Sequence, residues 1–235
     1  MKISVCVATY NGEKYIKEQL LSVLKNIKED DEIIISDDGS TDDTIAIIKE
    51  MAENEKRINL IAGPRLGVLK NFENAISIAQ GDIVFLCDQD DVWVDNKVNE
   101  VLKIFEKTNC LLVIHNASIV NEDLTKQGLS FFEFKNSGKG FWKNLWRNTY
   151  IGCCMAFKKS MFNYILPIPE NVPMHDQWIG LLAENKGKVE FLDEELLLYR
   201  RHGDNASGMT HLPLPEMIKN RLVMLHCIRK RIGEK

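Results

Sequence analysis

Gly81-Asp82-Ile83-Val84-Phe85-Leu86-Cys87-Asp88-Gln89-Asp90-Asp91-Val92-Trp93 reads as a strand that runs into acid. Gly81-Asp82 is a turn signal. The run Ile83–Leu86 is apolar, with β-branched residues and an aromatic, so it predicts a buried strand. Three carboxylates then follow within four positions, where a parallel strand delivers its chain to a ligand crevice. Ionised carboxylates this close repel, and near a core they are costly unless a cation neutralises them. A hard divalent metal with oxygen ligands meets that need. Asp88 and Asp90 are therefore assigned to metal or nucleotide contact. Asp91 and Asp95 are left between that role and capping of the next helix.

The flanking sequence alternates in the same way. Ile3–Ala8, Glu32–Ser36 and Ile58–Ala62 are strand-like. Glu13 to Lys25, the segment after Ser40-Thr41-Asp42-Asp43-Thr44, and Gly67 to Ala79 carry apolar residues at helical spacing. Ser40–Thr44 offers a cap followed by acids in the first turn, where the helix dipole favours them. This β-α-β-α order implies a largely parallel, Rossmann-like α/β sheet with flanking helices. Ligands then fall to the loops after the strands: Thr9-Tyr10-Asn11-Gly12, Asp37-Asp38-Gly39-Ser40 and the acidic stretch. No Gly-x-Gly-x-x-Gly or Gly-x-x-x-x-Gly-Lys-Ser/Thr occurs, so neither a dinucleotide fold nor a P-loop is supported.

Beyond Trp93, Val98–Phe105 is an amphipathic helix and Cys110–Val120 an apolar, central strand. Residues 121–150 read as irregular, with aromatics packed under a long loop. Ile151–Phe157 is a strand, Gln177–Asn185 a helix, and Lys188–Leu192 and Leu196–Arg201 two strands. Asp176 either caps its helix or, beside His175 and Trp178, serves as a general base. In Tyr199-Arg200-Arg201-His202-Gly203-Asp204-Asn205-Ala206-Ser207-Gly208, two arginines and a histidine can neutralise a diphosphate, and His202 can ligate metal. The competing account is a solvated loop. The tail from Pro215 to Lys235 is amphipathic and basic. It packs on the domain or lies on an anionic membrane surface.

With 235 residues, 45% hydrophobic and 27% charged, the chain makes one large globular domain or one domain with an appendage. A net charge of -4 gives no reason to expect nucleic acid as partner. No apolar run approaches the ~20 residues of a membrane span. The N-terminus reads as the first strand and not as a signal peptide. Six cysteines without a Cys-x-x-Cys pair predict buried free thiols in a reducing cytoplasm and no zinc site.

Taken together the chain resembles the family-two glycosyltransferases of the GT-A fold, most closely the bacterial rhamnosyltransferase-like enzymes of surface polysaccharide biosynthesis. The resemblance spans residues 2–208. It rests on Val-Ala-Thr-Tyr-Asn-Gly (7–12), Ser-Asp-Asp-Gly-Ser-Thr-Asp-Asp-Thr (36–44), residues 81–93, His-Asp-Gln-Trp (175–178) and Tyr-Arg-Arg-His-Gly-Asp-Asn-Ala-Ser-Gly (199–208). It implies a GT-A domain over 1–208, with a nucleotide-binding half (1–93) and an acceptor-binding half (94–208), and a helical tail over 209–235.

The activity implied is inverting transfer of a sugar from a nucleotide diphosphate sugar to a saccharide acceptor. Thr9, Tyr10, Asn11, Glu13 and Asp38 would line the base and ribose pocket. Asp88 would face ribose or a metal-bound water, and Asp90 and His202 would hold Mg2+ or Mn2+. Arg200 and Arg201 would meet the diphosphate, Asp176 would be the base, and Gln177 and Trp178 would meet the acceptor. Many relatives carry proline where Asp95 stands, which touches the rigidity of the loop and not the metal assignment. The leading donor is dTDP-L-rhamnose, with a UDP-hexose second. The acceptor expected by analogy is lipid-diphosphate-linked, at the inner face of the cytoplasmic membrane. A nucleotidyltransferase would need a basic, Gly-rich first loop, which Thr9–Gly12 is not. A non-enzymatic sugar-binding module would not need both the Asp-x-Asp pair and Asp176.

Overall fold

Strand β1 (Ile3–Thr9) is buried at all seven positions, as expected of a parallel strand covered on both faces. It lies between β2 (Glu32–Asp37) and β4 (Ile83–Asp88), with β3 (Ile58–Ala62) outside β2, and all of these pairs are parallel. The register aligns Thr9 with Asp37 and Ala8 with Asp88, so three strands end almost flush and their loops leave from one edge. Helices α1 (Ile16–Leu24), α2 (Thr44–Asn54) and α3 (Val68–Ile78) connect them. The computed structural model describes residues 1–203 and 213–233.

The remaining elements are β5 (Val92–Trp93), α4 (Lys97–Thr108), β6 (Leu112–Val120), β7 (Lys126–Ser130), α5 (Phe131–Lys135), α6 (Phe141–Trp146), β8 (Met155–Lys158), α7 (Phe162–Ile165), α8 (His175–Lys186), β9 (Val189–Arg200) and α9 (Leu214–Gly233). They complete one nine-stranded sheet in the order β3-β2-β1-β4-β8-β6-β9-β5, with β7 also paired to β6. Strand β8 runs antiparallel to both β4 and β6, so the sheet is parallel over its first half and mixed beyond it. One hydrophobic cluster runs through both halves.

Several sequence expectations change. The region 121–150 is built from β7, α5 and α6. Residues 151–157 form a 3-10 turn at Gly152–Cys154 before the strand at Met155, because Cys154 N–H closes back on the Ile151 carbonyl. The two strands expected over 188–201 are one, β9, with shifts in its register against β6. Neither Asp91 nor Asp95 caps α4. That position belongs to Asn96, in the left-handed conformation (φ 67°). Asp176 lies in the first turn of α8, after the N-cap Met174.

The tail helix α9 packs against α6 and α8 through Met224, Cys227 and Ile228, all buried. The Arg231 guanidinium sits 5.2 Å over the Trp178 ring and donates to the carbonyls of Tyr164, Leu166 and Pro167. All six cysteines are free and buried. Among the described residues no helix is long and apolar enough to cross a membrane. Residues 204–208 of the last quoted motif, and the junction expected at 208/209, lie outside the described residues.

Candidate active site

The flush strand ends need to be held, because their loops carry polar backbone. Asp37 does this below the first two loops. Its carboxylate accepts from the Gly39 and Ser40 N–H groups (3.0 and 2.8 Å), from Ser40 Oγ (2.5 Å) and from Thr9 Oγ1 (3.0 Å). Asn11, in the left-handed conformation (φ 48°), takes the Thr41 N–H on its Oδ1, while Ser40 Oγ accepts the Asn11 N–H. Glu13 accepts from the Asp43 N–H, and Asp42 from the Glu13 N–H. Asn11 and Glu13 therefore splice the loop after β1 to the loop after β2.

Gln89 ties the third loop in. Its Oε1 accepts the Tyr10 N–H (2.9 Å) and its Nε2 donates to the Tyr10 carbonyl (3.0 Å). A Cβ on Gly12 would lie 2.6 Å from Gln89 Cδ, so this approach needs glycine there.

These loops open onto a cavity of about 850 Å3. Thr9, Tyr10, Asp38, Asp88, Gln89 and Asp90 line one side, and Lys135, Asn148, Gly152, His175, Asp176 and Arg201 also line it. Asp38 faces the cavity while accepting from the Leu66 and Gly67 N–H groups, which fixes the turn into α3. Sequence reasoning missed Gln89, Lys135 and Asn148. The last two come from the region read as irregular, where Ser130-x-x-Glu133 is in fact a complete capping box that starts α5.

The acidic loop is electrostatically loaded. Burial, then the neighbouring Asp90 charge, pushes the Asp88 carboxyl up to about 7. The same two causes raise Asp91. Asp91 accepts the Arg200 N–H on Oδ1 (2.9 Å), and its Oδ2 is buried without a hydrogen-bond partner. Asp90 Oδ2 stands 2.8 Å from His202 Nε2. Behind the loop, the fully buried Lys97 donates to the Cys153 carbonyl (3.1 Å) and lies 4.0 Å over the Trp93 ring.

Asp176 is buried at the cavity wall. Its Oδ1 accepts from the Gln177 N–H (2.6 Å) and Asn148 Nδ2 (3.1 Å), and burial nevertheless lifts its carboxyl to about 6. A carboxylate with its proton affinity raised this way titrates where a general base must work.

Asn11 and Glu13 do not border the cavity, and three further expected residues are placed differently. The Arg200 guanidinium donates to the Asp90 carbonyl (2.8 Å), the Glu122 carbonyl (2.7 Å) and Glu18, and lies 4.7 Å over the Tyr15 ring. It braces the acidic loop from behind, and Arg201 is the arginine that lines the cavity. Trp178 is fully buried, with Nε1 donating to the Ile165 carbonyl (2.9 Å). Gln177 donates to the carbonyls of Asn144 and Leu145. Helix α8 is enclosed over its first nine residues, and Gln177 and Trp178 spend their polar groups on neighbouring backbone.

The family profile for glycosyl transferase family 2 matches residues 4–166. The chain belongs to glycosyltransferase family 2. The matched segment of this family-2 chain includes the acidic loop, whereas Asp176, Arg200, Arg201 and His202 lie beyond it. Among relatives, the dTDP-rhamnosyl transferase RfbG of Shigella flexneri is 28% identical, over 86% of this chain and 73% of its own. Among solved structures, residues 1–349 of S. aureus TarS in complex with UDP-GlcNAc superpose with a TM-score of 0.74 at 21% identity, covering 96% of this chain and 66% of that one. The mannosyltransferase PcManGT from Pyrobaculum calidifontis, in complex with GDP-Man and Mn2+, gives 0.63 at 16% identity, over 98% of this chain and 73% of that one. The likeness to these structures is one of fold. The chain spans about two thirds of the length of the first curated relatives it matches.

The acidic residues of this family-2 chain suit a hard divalent cation. Asp88, Asp91 and Cys153 bring one donor atom each within 4.8 Å of one another, and Asp90 with His202 offers a second pair beside them. The unpartnered Asp91 Oδ2 is what a nearby cation would satisfy. Burial holds the Cys153 thiol well above its ordinary range, so oxygen dominates the donor set, as Mg2+ or Mn2+ requires.

The Asp176 shift has a stability consequence. Its folded pKa of about 6 exceeds the ordinary 3.8, so the folded state holds this proton more tightly. The stabilising contribution is complete below 3.8 and is lost as pH rises through 6. Asp176→Asn is therefore expected to raise stability at pH 7.5 by up to about 3 kcal/mol and to leave it nearly unchanged at pH 4. Urea unfolding of both proteins at the two pH values checks this. An equal change at both would remove the buried charge as its cause.

Proposed function

We propose that this protein moves a sugar from a nucleotide diphosphate sugar to an acceptor hydroxyl in a single inverting displacement. The observation that carries the reading is one cavity bordered by both the Asp88–Asp90 loop and the buried, raised Asp176 carboxyl. Thr9, Tyr10 and Asp38 would hold the nucleoside. Asp88 would face the ribose or a metal-bound water, and Asp90 and His202 would hold Mg2+ or Mn2+. When bound, that ion supplies positive charge against the departing diphosphate. Arg201 adds charge from the cavity wall, and Arg200 keeps the Asp90 backbone in position. Asp176 takes the acceptor proton as the hydroxyl attacks, with Asn148 and the Gln177 N–H orienting its carboxylate.

The donor favoured is dTDP-L-rhamnose, supported by the likeness to RfbG, within bacterial O-antigen or capsule synthesis. A UDP-hexose is the second reading, favoured by the likeness to TarS with UDP-GlcNAc. Titration calorimetry against dTDP, UDP and GDP, with and without Mn2+, separates these donors. Wild type is expected to bind one diphosphate in a metal-dependent manner, and Asp90→Ala to lose that dependence. Absence of binding to all three would overturn the reading.

Transfer is expected to rise with pH through about 6 as Asp176 loses its proton. Asp176→Asn should lower transfer by about 10²–10⁴-fold while diphosphate binding survives. Loss of binding together with transfer would remove Asp176 from the role of base.

The acceptor proposed is a saccharide on a lipid diphosphate, met at the inner face of the cytoplasmic membrane. Support comes from the surface of α6 and α9. Trp142, Trp146, Leu214, Ile218 and Leu222 are exposed there, with Lys143, Lys219 and Arg229 exposed on the same two helices and Arg147 exposed just after α6. Arg221 joins those helices by donating to the Trp146 carbonyl. Aromatic and aliphatic groups mixed with cations suit an anionic bilayer interface. Co-flotation with anionic liposomes should be strong for wild type and should fall several-fold for a Trp142→Ser, Trp146→Ser, Leu222→Ser variant. Equal recovery would exclude this face.

A further inference from the structure

We propose that Lys135 is an acceptor-binding residue that pairs with an anionic group, phosphoryl or carboxylate, carried by the saccharide whose hydroxyl meets Asp176. The inference rests on the transfer reading above and deepens its acceptor side. Lys135 closes α5 and lines the same cavity as Asp176. It is half-buried, and its ammonium lies 5.4 Å over the Phe134 ring. Among the described residues it pairs with no carboxylate. A partly desolvated ammonium left unpaired is costly, and its neighbours add to the cost. Burial first, then the Arg147 and Arg201 charges, hold Lys135 below its ordinary range, while Asp176 pulls the other way. Three cations around one carboxylate leave this corner of the cavity net positive. An anionic group bound there would offset the repulsion and complete the Lys135 donors.

Position separates this anion from the donor diphosphate. The charges that bear on Lys135 include Asp176 but neither Asp88 nor Asp90. Arg147 is next in the chain to Asn148, which donates to Asp176. The cluster is thus centred on the proposed base and not on the acidic loop. Topology agrees. The nucleoside-facing loops leave β1 and β2 and the acidic loop leaves β4, whereas α5 follows β7, which pairs with β6 on the far side of β8.

The same wall suits a saccharide. Gln177 and Trp178, expected to meet the acceptor, are turned to backbone. Phe134 lines the cavity and is 50% exposed, so it presents a ring on which a sugar can stack, with Lys135 beside it for the charge.

Calorimetry with the donor site filled tests the assignment. The protein is saturated with Mn2+ and whichever of dTDP, UDP and GDP it binds. It is then titrated with N-acetylglucosamine 1-phosphate, with methyl glucuronide, and with methyl N-acetylglucosaminide as the neutral control. Wild type is expected to bind one anionic probe about 10-fold or more tighter than the control. Preference for the phosphate identifies a phosphorylated acceptor, and preference for the glucuronide an acidic sugar; either supports the proposal. Lys135→Met keeps the apolar stem and removes the charge. It should weaken the favoured probe by about 10-fold, the scale of one charge-assisted hydrogen bond, and leave the control and the nucleoside diphosphate within about twofold. Lys135→Arg should recover most of the loss. No anionic preference in wild type, or equal weakening of charged and neutral probes by Lys135→Met, overturns the proposal. Equal weakening of the nucleoside diphosphate overturns it too, by moving Lys135 to the donor. In the first two cases the transfer reading stands, because metal-dependent nucleotide binding persists. If wild type binds no nucleoside diphosphate, the transfer reading falls and the Lys135 assignment with it.

Discussion

The Arg200 guanidinium holds the cavity's acidic rim in place. It reaches back from the end of β9 to the Asp90 and Glu122 carbonyls and to Glu18, and it stacks on Tyr15. The Arg200 backbone N–H is taken by Asp91. One residue thus joins β9, α1, the loop after β6 and the acidic loop. A lysine could not replace it, because a point charge cannot serve several acceptors in a plane while lying flat on an aromatic ring. The charge is nearly buried, so removing it would leave two carbonyls unmet as well as freeing the loop.

That brace matters because the acidic loop carries its own repulsion. Asp88 and Asp91 crowd against the Asp90 charge where burial already disfavours their own ionised forms. The fold tolerates this by register: β1, β2 and β4 end together, and Asp37 spends its carboxylate on four donors from the adjoining loops. The strain is confined to the rim. Behind it the strands are apolar and sealed, with Lys97 the one buried ammonium near the acids among the described residues.

The first half of the sheet was legible because its strands are apolar throughout and its turns carry polar and Gly residues. Elements held by tertiary contact were not. Helix α8 is buried on every side near its start, so no amphipathic stripe marks which polar residues face a cavity, and Gln177 and Trp178 could not be told from Asp176. Arg200 and Arg201 are adjacent cations in the sequence. Only the end of β9, where Arg201 N–H still pairs with the Val120 carbonyl, sends one behind the acidic loop and the other into the cavity. The 3-10 turn at Gly152–Cys154 had no signal, since an apolar run of that length suits a strand as well. The capping box before α5 was readable and was obscured by the aromatics around it.

Gln89 makes with Tyr10 both backbone hydrogen bonds that a neighbouring strand residue would make. A side chain thus adds one more rung to the β1–β4 ladder beyond the point where the backbones part. The two loops are mechanically a single body. Whatever orders the loop after β1 also orders the acidic loop, and one loss of conformational entropy serves both. Occupancy at either end of the cavity would then favour occupancy at the other, without any displacement of the sheet.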